Sequence, residues 1–271
     1  MIERTIPRTG ESLPVVGLGT WRTFDVTAGE YDTRRRVLGR FVELGGRLVD
    51  TSPMYGKSEA VIGQLASDLN LHRQLFMATK VWTSGGREGV EQMEESYRRL
   101  RVARMDLLQV HNLVDVETHL ETLAAWKADG RVRYVGVTHY TVDAHARLEP
   151  FLRRAEIDFV QFNYSLAVRD AERYLLPLAQ ELGVATLINR PFENGDVLRR
   201  AAGRPLPGMA AELQCHNWAQ LFVKFAISHP AVTCIIPATS RVDHLEENMR
   251  AAREPLPTPE MRTALARAWD A

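Results

Sequence analysis

Short apolar runs recur along the chain, each followed by a charged stretch with helical spacing. Eight of these runs predict strands. They are VVGLGTW (15–21), RLVDTS (47–52), LFMATKVW (75–82), MDLLQVHN (105–112), VRYVGVTHY (132–140), FVQFNYS (159–165), VATLINRPF (184–192) and TCIIPA (233–238). Helical patterns lie between them, such as TRRRVLGRFVELGG and SEAVIGQLASDLN. In VEQMEESYRRLRV, Val90, Met93, Tyr97 and Leu100 fall on one face at spacings of three and four. HLETLAAWKADGR ends at Gly130, a C-cap candidate.

Eight β-rich runs alternating with helices over one chain of this length predict an α/β protein, a (β/α)₈ TIM barrel forming a single domain over residues 1–271. The rival is a doubly wound open sheet, which calls for a GxGxxG turn after an early strand. The best match here is GLGTWR, where Arg22 takes the place of the third glycine, so the barrel is preferred. IERTIPRTGESLP predicts a hairpin turning at Thr9-Gly10 and capping the bottom of the barrel. Residues 195–215, with two prolines and three glycines, read as a long loop with one short helix, and PEMRTALARAWDA reads as a final helix.

Composition narrows the function classes. The 34 basic and 34 acidic residues cancel, which argues against nucleic acid or an anionic membrane as a partner. No apolar run reaches the roughly 20 residues needed to span a bilayer, and the N-terminus has no signal-like apolar core. Cys215 and Cys234 form neither a disulfide framework nor a metal knuckle and read as buried thiols. The expectation is a cytoplasmic monomer, with an export signal removed beforehand left open.

In such barrels, chemistry sits at the C-terminal ends of the strands. There the second run ends in Asp50, with Tyr55 just beyond it; the third ends near Lys80 and the fourth in His111. Neighbouring strands are about 5 Å apart, so these groups share a rim. A lysine ammonium favours phenolate and lowers a tyrosine's pKa, an aspartate holds the lysine, and a histidine can orient a substrate oxygen. Such a set can protonate a carbonyl oxygen while an external nicotinamide supplies hydride to the carbon. Taken singly, each residue has a plainer reading: Asp50-Thr51-Ser52 as a turn cap, Tyr55 as a packing aromatic, Lys80 and His111 as strand ends. The four at one rim favour the chemical reading. A metal site is disfavoured, because His72, His119, His145, His216 and His229 fall on helices, helix ends or loops without matched partners. No GxSxG elbow marks a serine nucleophile.

These residues resemble the aldo-keto reductase superfamily, from GLGTW (17–21) to HLEENM (244–249). LVDTSPMYGKSEAVIG is similar to the family's Asp-Thr-Ala-x-x-Tyr-Gly-x-Ser/Ala-Glu block, and FMATKV, DLLQVHN, VRYVGVTHY, VQFNYS and IIPATSRVDHLEEN follow in family order. The resemblance implies a tetrad of Asp50, Tyr55, Lys80 and His111 with Tyr55 as acid/base, and reduction of aldehydes or ketones with NADPH, NADH being possible. It implies an extended cofactor across the barrel mouth, bordered by Gly19, Thr20, Trp21 and Asp50. The carboxamide would meet Thr138, His139 and Gln161. The loop of Asn189, Arg190, Pro191, Phe192 and Gly195 would face the pyrophosphate. Pro237, Ala238, Thr239, Ser240, Arg241 and His244 would hold the adenosine phosphate at a helix N-terminus, with Glu247 and Asn248 at the adenine.

The chain departs from the family at four points. Thr138-His139 replaces a common Ser-Asn. Asn189 stands where an aromatic often stacks on the nicotinamide, leaving Arg190 or Phe192 to replace it. Ala238 and His244 replace the Lys and Arg of many NADPH-specific members, leaving Thr239, Ser240 and Arg241 for a 2′-phosphate. The substrate loops are short. Trp21, Phe24, Met54, Trp82 and Asn112 near the rim predict an open, mainly apolar pocket for a bulky or aromatic small-molecule carbonyl. A redox-neutral enzyme such as an isomerase, or a regulatory module like the superfamily's channel β subunits, is the alternative. The retained tetrad favours the reductase.

Overall fold

A computed structural model of the chain describes residues 1–154 and 156–271. It opens with β1 (Glu3–Thr5) and β2 (Ser12–Pro14), an antiparallel pair in which Arg4 faces Leu13. The barrel strands follow: β3 (Leu18–Gly19), β4 (Leu48–Asp50), β5 (Phe76–Val81), β6 (Met105–His111), β7 (Val132–Thr138), β8 (Phe159–Asn163), β9 (Ala185–Asn189) and β10 (Cys234–Ile235). All eight pair in parallel in chain order. Bridges from Val16 to Ile235 and from Gly19 to Ala238 join the last strand to the first. The architecture is the expected (β/α)₈ barrel with an N-terminal hairpin.

The helices are α1 (Tyr31–Glu43), α2 (Ser58–Asp68), α3 (Gly86–Leu100), α4 (Val116–Ala128), α5 (His145–Leu152), α6 (Leu175–Glu181), α7 (Asp196–Ala201), α8 (Met209–Glu212), α9 (Trp218–Ser228), α10 (Val242–Ala251) and α11 (Pro259–Asp270). Residues 195–215 hold two short helices, α7 and α8, where one was expected; Pro205 and Pro207 separate them because proline cannot continue a helical ladder. The strands at the seam are shorter than their apolar runs. Pro237 offers no N–H to extend β10, although Gly19 still donates to the Pro237 carbonyl. No helix among the described residues is long and apolar enough to cross a membrane.

The two-residue period of the strands builds two cores. Phe76 and Ala78 on β5, Leu107 on β6, Tyr134 on β7, Phe159 on β8 and Leu187 on β9 fill the barrel interior. Ile6 and Leu13 of the hairpin segment join them from below, beside the buried thiol of Cys234. The alternate residues, among them Met77, Leu108, Val135, Val160 and Ile188, pack outward under the helices. The bottom is sealed by polar contacts: Tyr134 donates to Glu11 at 2.7 Å, Thr9 lies 2.8 Å from the same hydroxyl, and Arg133 pairs with Glu11 and Asp106. Carried two residues further up each strand, the inward period reaches Lys80, Gln109, Gln161 and Asn189. The interior is thus apolar below and polar at the mouth.

Helices α2 and α3 meet at Gly63, where an added methyl would sit 2.0 Å from the Arg99 carbonyl oxygen. Gly63→Ala should therefore lower unfolding free energy by about 2 kcal/mol or more, since a packed backbone contact cannot yield cheaply. Gly29→Ala, with nothing within 4 Å, should be near neutral. Urea denaturation of the two variants checks this, and equal stabilities would mean that α2 and α3 are not held this closely.

Candidate active site

At the mouth, Lys80 is completely buried and donates from Nζ to Asp50 Oδ2 at 2.6 Å and to the Thr51 carbonyl at 2.7 Å. Asp50 comes from the end of β4 and Lys80 from β5, the next strand of the ring. Tyr55 is held just beyond β4 by a turn in which its N–H donates to the Ser52 carbonyl. Lys80 Nζ lies 5.2 Å from the centre of its ring, within hydrogen-bonding influence of the phenol. The His111 ring stands edge-on to Tyr55 with centroids 6.0 Å apart. Asp50, Tyr55, Lys80 and His111 thus form one cluster.

Their electrostatics follow from burial. Desolvation opposes the Lys80 ammonium, but Asp50 and Tyr55 outweigh it and hold the lysine above its ordinary pKa. For Tyr55 the outcome departs from expectation. Burial of the phenolate dominates, Lys80 lowers the pKa only in part, and Asp50 works against Lys80, so the phenol lies above its usual value. An ammonium already neutralised by a carboxylate cannot rescue a desolvated phenolate. Tyr55 is therefore a protonated acid at neutral pH. Burial, then the Lys80 and His139 charges, push His111 down to about 2, so its imidazole is neutral.

A layer of amides secures the cluster. Gln161 Nε2 donates to Asp50 Oδ1 at 3.0 Å and Gln109 Nε2 to the same oxygen at 3.3 Å. Thr138 Oγ1 donates to Gln161 Oε1 at 3.1 Å, and Asn189 Nδ2 donates to the His139 carbonyl at 3.1 Å. Thr20 Oγ1 donates to the Asp50 carbonyl at 3.0 Å, beside Gly19 at the seam. Gln109 and Ser52, whose Oγ lies 3.2 Å from His111 Nδ1, were not singled out from sequence. Gln109 could have been found by stepping back two residues from His111 along β6. Ser52 gave no such signal.

Three buried polar atoms near the mouth have no hydrogen-bond partner among the described residues, Asn189 Oδ1, Arg190 Nε and Asn112 Oδ1, although Arg190 Nε faces Glu193 Oε2 at 4.0 Å and Arg190 Nη1 donates to the Tyr140 carbonyl at 3.3 Å. An amide carbonyl and a guanidinium Nε–H that lack hydrogen-bond partners suit a ligand that offers both an amide and an anion. The Arg190 guanidinium lies 5.7 Å from the Tyr140 ring, which in turn stacks on His139 at 5.4 Å. Further round, α10 begins without a side-chain cap, because its N-cap residue is Arg241, which has no acceptor to offer; Thr239 Oγ1 accepts from the Arg241 N–H at 3.1 Å. Arg241 itself is engaged by Asp243, with Nε donating to Oδ1 at 3.0 Å. Ala238, Arg241 and His244 are exposed, Ser240 is half-buried and Pro237 is buried. Asn248 is also buried, and Glu247 accepts from Asn217 at 2.9 Å. Gly195 adopts a positive φ of 89° ahead of α7.

Two expectations are corrected. Phe24 has no exposed surface and belongs to the core beneath the helices, so it does not line a pocket. Phe192 packs on that core and faces Phe222 at 6.5 Å, which removes it as a stacking partner at the mouth. Both are aromatic side chains whose burial outcompetes a place at the rim. Pro191, between Arg190 and Phe192, is buried. Trp21, Met54 and Trp82 are exposed, Arg22 lies over Trp21 at 4.2 Å, and Asn112 is half-buried with a left-handed φ of 55°. Among the described residues, no group of three or more His, Cys, Asp or Glu could hold a metal ion.

The model of the Aldo/keto reductase family matches residues 15–266. A methylglyoxal reductase of Escherichia coli K12, YeaE, is 30% identical over 259 residues, covering 92% of this chain and 89% of that protein. An NADH-specific methylglyoxal reductase of the same organism is 26% identical over 219 residues, covering 69% and 66%. An aldo/keto reductase of Klebsiella pneumoniae, solved with NADP and acetate, superposes with a TM-score of 0.84 at 24% identity, covering 99% of this chain and 96% of that one; it shares the fold.

The histidines make acid stability testable. An unfolded histidine titrates at 6.5, whereas burial holds His111 near 2 and His229 near 4. Below 6.5 the unfolded state binds protons that the folded state refuses, so stability must fall as pH drops, by up to about 1.4 kcal/mol per pH unit for His111. Tm should decrease from about pH 7 to about pH 5, and the decrease should be shallower in His111→Gln. Identical slopes would mean that His111 is charged in the folded protein.

Proposed function

The chain belongs to the aldo/keto reductase family, and from that premise we propose that it reduces aldehyde or ketone carbonyls to alcohols with NADPH, or with NADH, as cofactor. The observation that carries this reading is the buried Lys80–Asp50 pair beside a protonated Tyr55 and a neutral His111. A bound nicotinamide supplies the hydride. Tyr55 donates its proton to the carbonyl oxygen, which leaves phenolate, and Lys80 stabilises that charge across a short, water-poor distance. Asp50 keeps Lys80 charged and fixed. His111, uncharged, offers a hydrogen bond that orients the substrate oxygen toward Tyr55.

The residues at the mouth fit the cofactor. Asn189, with Gln161, Thr138 and His139, would hold the carboxamide, Arg190 the pyrophosphate, and the uncapped start of α10 the adenosine phosphate. Tyr140, 5.7 Å from the Arg190 guanidinium and stacked on His139, would take the place of the missing stacked aromatic. The exposed faces of Trp21, Met54 and Trp82 support a bulky or aromatic carbonyl. The names of the two Escherichia coli relatives add 2-oxoaldehydes such as methylglyoxal.

Tyr55→Phe should cut reduction of methylglyoxal and of an aromatic aldehyde by at least about a thousandfold, because it removes the hydroxyl that donates the proton while Lys80 stays held by Asp50 and Thr51. Cofactor affinity, measured by tryptophan fluorescence, should stay within a few-fold. Full residual turnover would remove Tyr55 from the mechanism.

Cofactor choice turns on Arg241. Its guanidinium is shared with Asp243, whose carboxylate also places a negative charge in the first turn of α10. Asp243→Ala frees Arg241 for a 2′-phosphate and should tighten NADPH relative to NADH by about tenfold, the worth of a charge-assisted bond. Calorimetric titration with both cofactors reads the ratio. Equal gains would show that the 2′-phosphate binds elsewhere.

A further inference from the structure

Ser52 lies one residue beyond Thr51 at the top of β4, has no exposed surface, and makes two contacts through its hydroxyl. The Met54 N–H donates to Oγ at 3.3 Å, and Oγ is 3.2 Å from His111 Nδ1. A backbone N–H can only donate, so Oγ is the acceptor in the first contact. Among the described residues its own proton then has one acceptor within reach, the Nδ1 lone pair. Were Nδ1 protonated instead, Ser52 would accept twice and leave a buried hydroxyl proton unpaired, which is costly. Because the imidazole is neutral, a lone pair on Nδ1 obliges the proton to sit on Nε2. Nε2 has no partner among the described residues.

We propose that Ser52 is a positioning residue that fixes His111 in the Nε2–H tautomer, so that the imidazole faces the substrate oxygen as a hydrogen-bond donor. This deepens the reductase reading and rests on it. In the other tautomer Nε2 would present a lone pair to the carbonyl oxygen and repel it. Two donors, the Tyr55 hydroxyl and His111 Nε2–H, then converge on one oxygen, which is the geometry a proton transfer at that atom requires. The family motif carries alanine at the Ser52 position, so Ser52→Ala is a natural probe.

The test reads the tautomer directly. Long-range ¹H–¹⁵N spectra of the uniformly labelled protein, with His111 assigned through His111→Gln, should give a pyrrole-type shift for Nε2 and a pyridine-type shift for Nδ1. In Ser52→Ala the two shifts should move toward averaged values, kcat for methylglyoxal reduction should fall about five- to tenfold with little change in KM, and Ser52→Thr should restore both. A wild-type protein with Nδ1–H overturns the proposal without need of any variant. So does a Ser52→Ala protein whose tautomer and kcat are unchanged. Failure of the reductase reading is seen separately, as no NADPH- or NADH-dependent turnover of any carbonyl by the wild-type protein, and the tautomer spectra still decide the assignment of Ser52.

Discussion

Everything at the barrel mouth depends on placing one ammonium and one carboxylate where water does not reach. Lys80 and Asp50 are essentially unexposed and 2.6 Å apart, and each ion surrenders several kcal/mol of hydration to be there. Coulomb attraction alone does not offset that loss. The remaining valences are met by protein dipoles: the Thr51 carbonyl on Lys80, and the Gln109 and Gln161 amides on Asp50. The result is a polar plug that is satisfied within itself. Its amides are inward residues of β6 and β8, so the network is also what ties the ends of separate strands into one surface.

The lower half of the barrel makes this possible. Phe76, Tyr134 and Phe159 stack within 5.5–6.2 Å of one another and fill the interior to the floor, where the hairpin closes it. Water excluded from below does not hydrate the fully buried Lys80, while Tyr55, at the mouth, is half-buried. Burial raises the pKa of the phenol and lowers that of the His111 imidazole, so both stay uncharged at neutral pH. The apolar core and the acid chemistry are therefore one design, since the first sets the dielectric in which the second operates.

At the rim the logic reverses. Asn189 Oδ1 and Arg190 Nε are buried without hydrogen-bond partners among the described residues, and α10 begins with no side-chain cap. Unsatisfied groups of this kind are avoided in a structural core and gather where a ligand completes them. Arg241, paired with Asp243 on the same turn, shows the opposite economy: a cation whose charge is already answered before any ligand arrives.

Much of this was legible in the chain. The eight short apolar runs, their alternation with helices and the short turn at Thr9-Gly10 specify a barrel with a hairpin, because each is a local consequence of backbone geometry. Asp50, Lys80 and His111 could be read as rim residues because they end successive runs. What only the tertiary structure decided is who meets whom and in what medium. Ser52 reaches His111 and Gln109 reaches Asp50 across 59 residues of chain, and Gln161 reaches Asp50 across 111. Phe24 and Phe192 look like rim aromatics in sequence and are packed against the core in space. The direction of the Tyr55 pKa was misjudged for the same reason. A pairwise rule about lysine and tyrosine is local, whereas desolvation is a property of the closed ring, and it exists only once all eight strands have met.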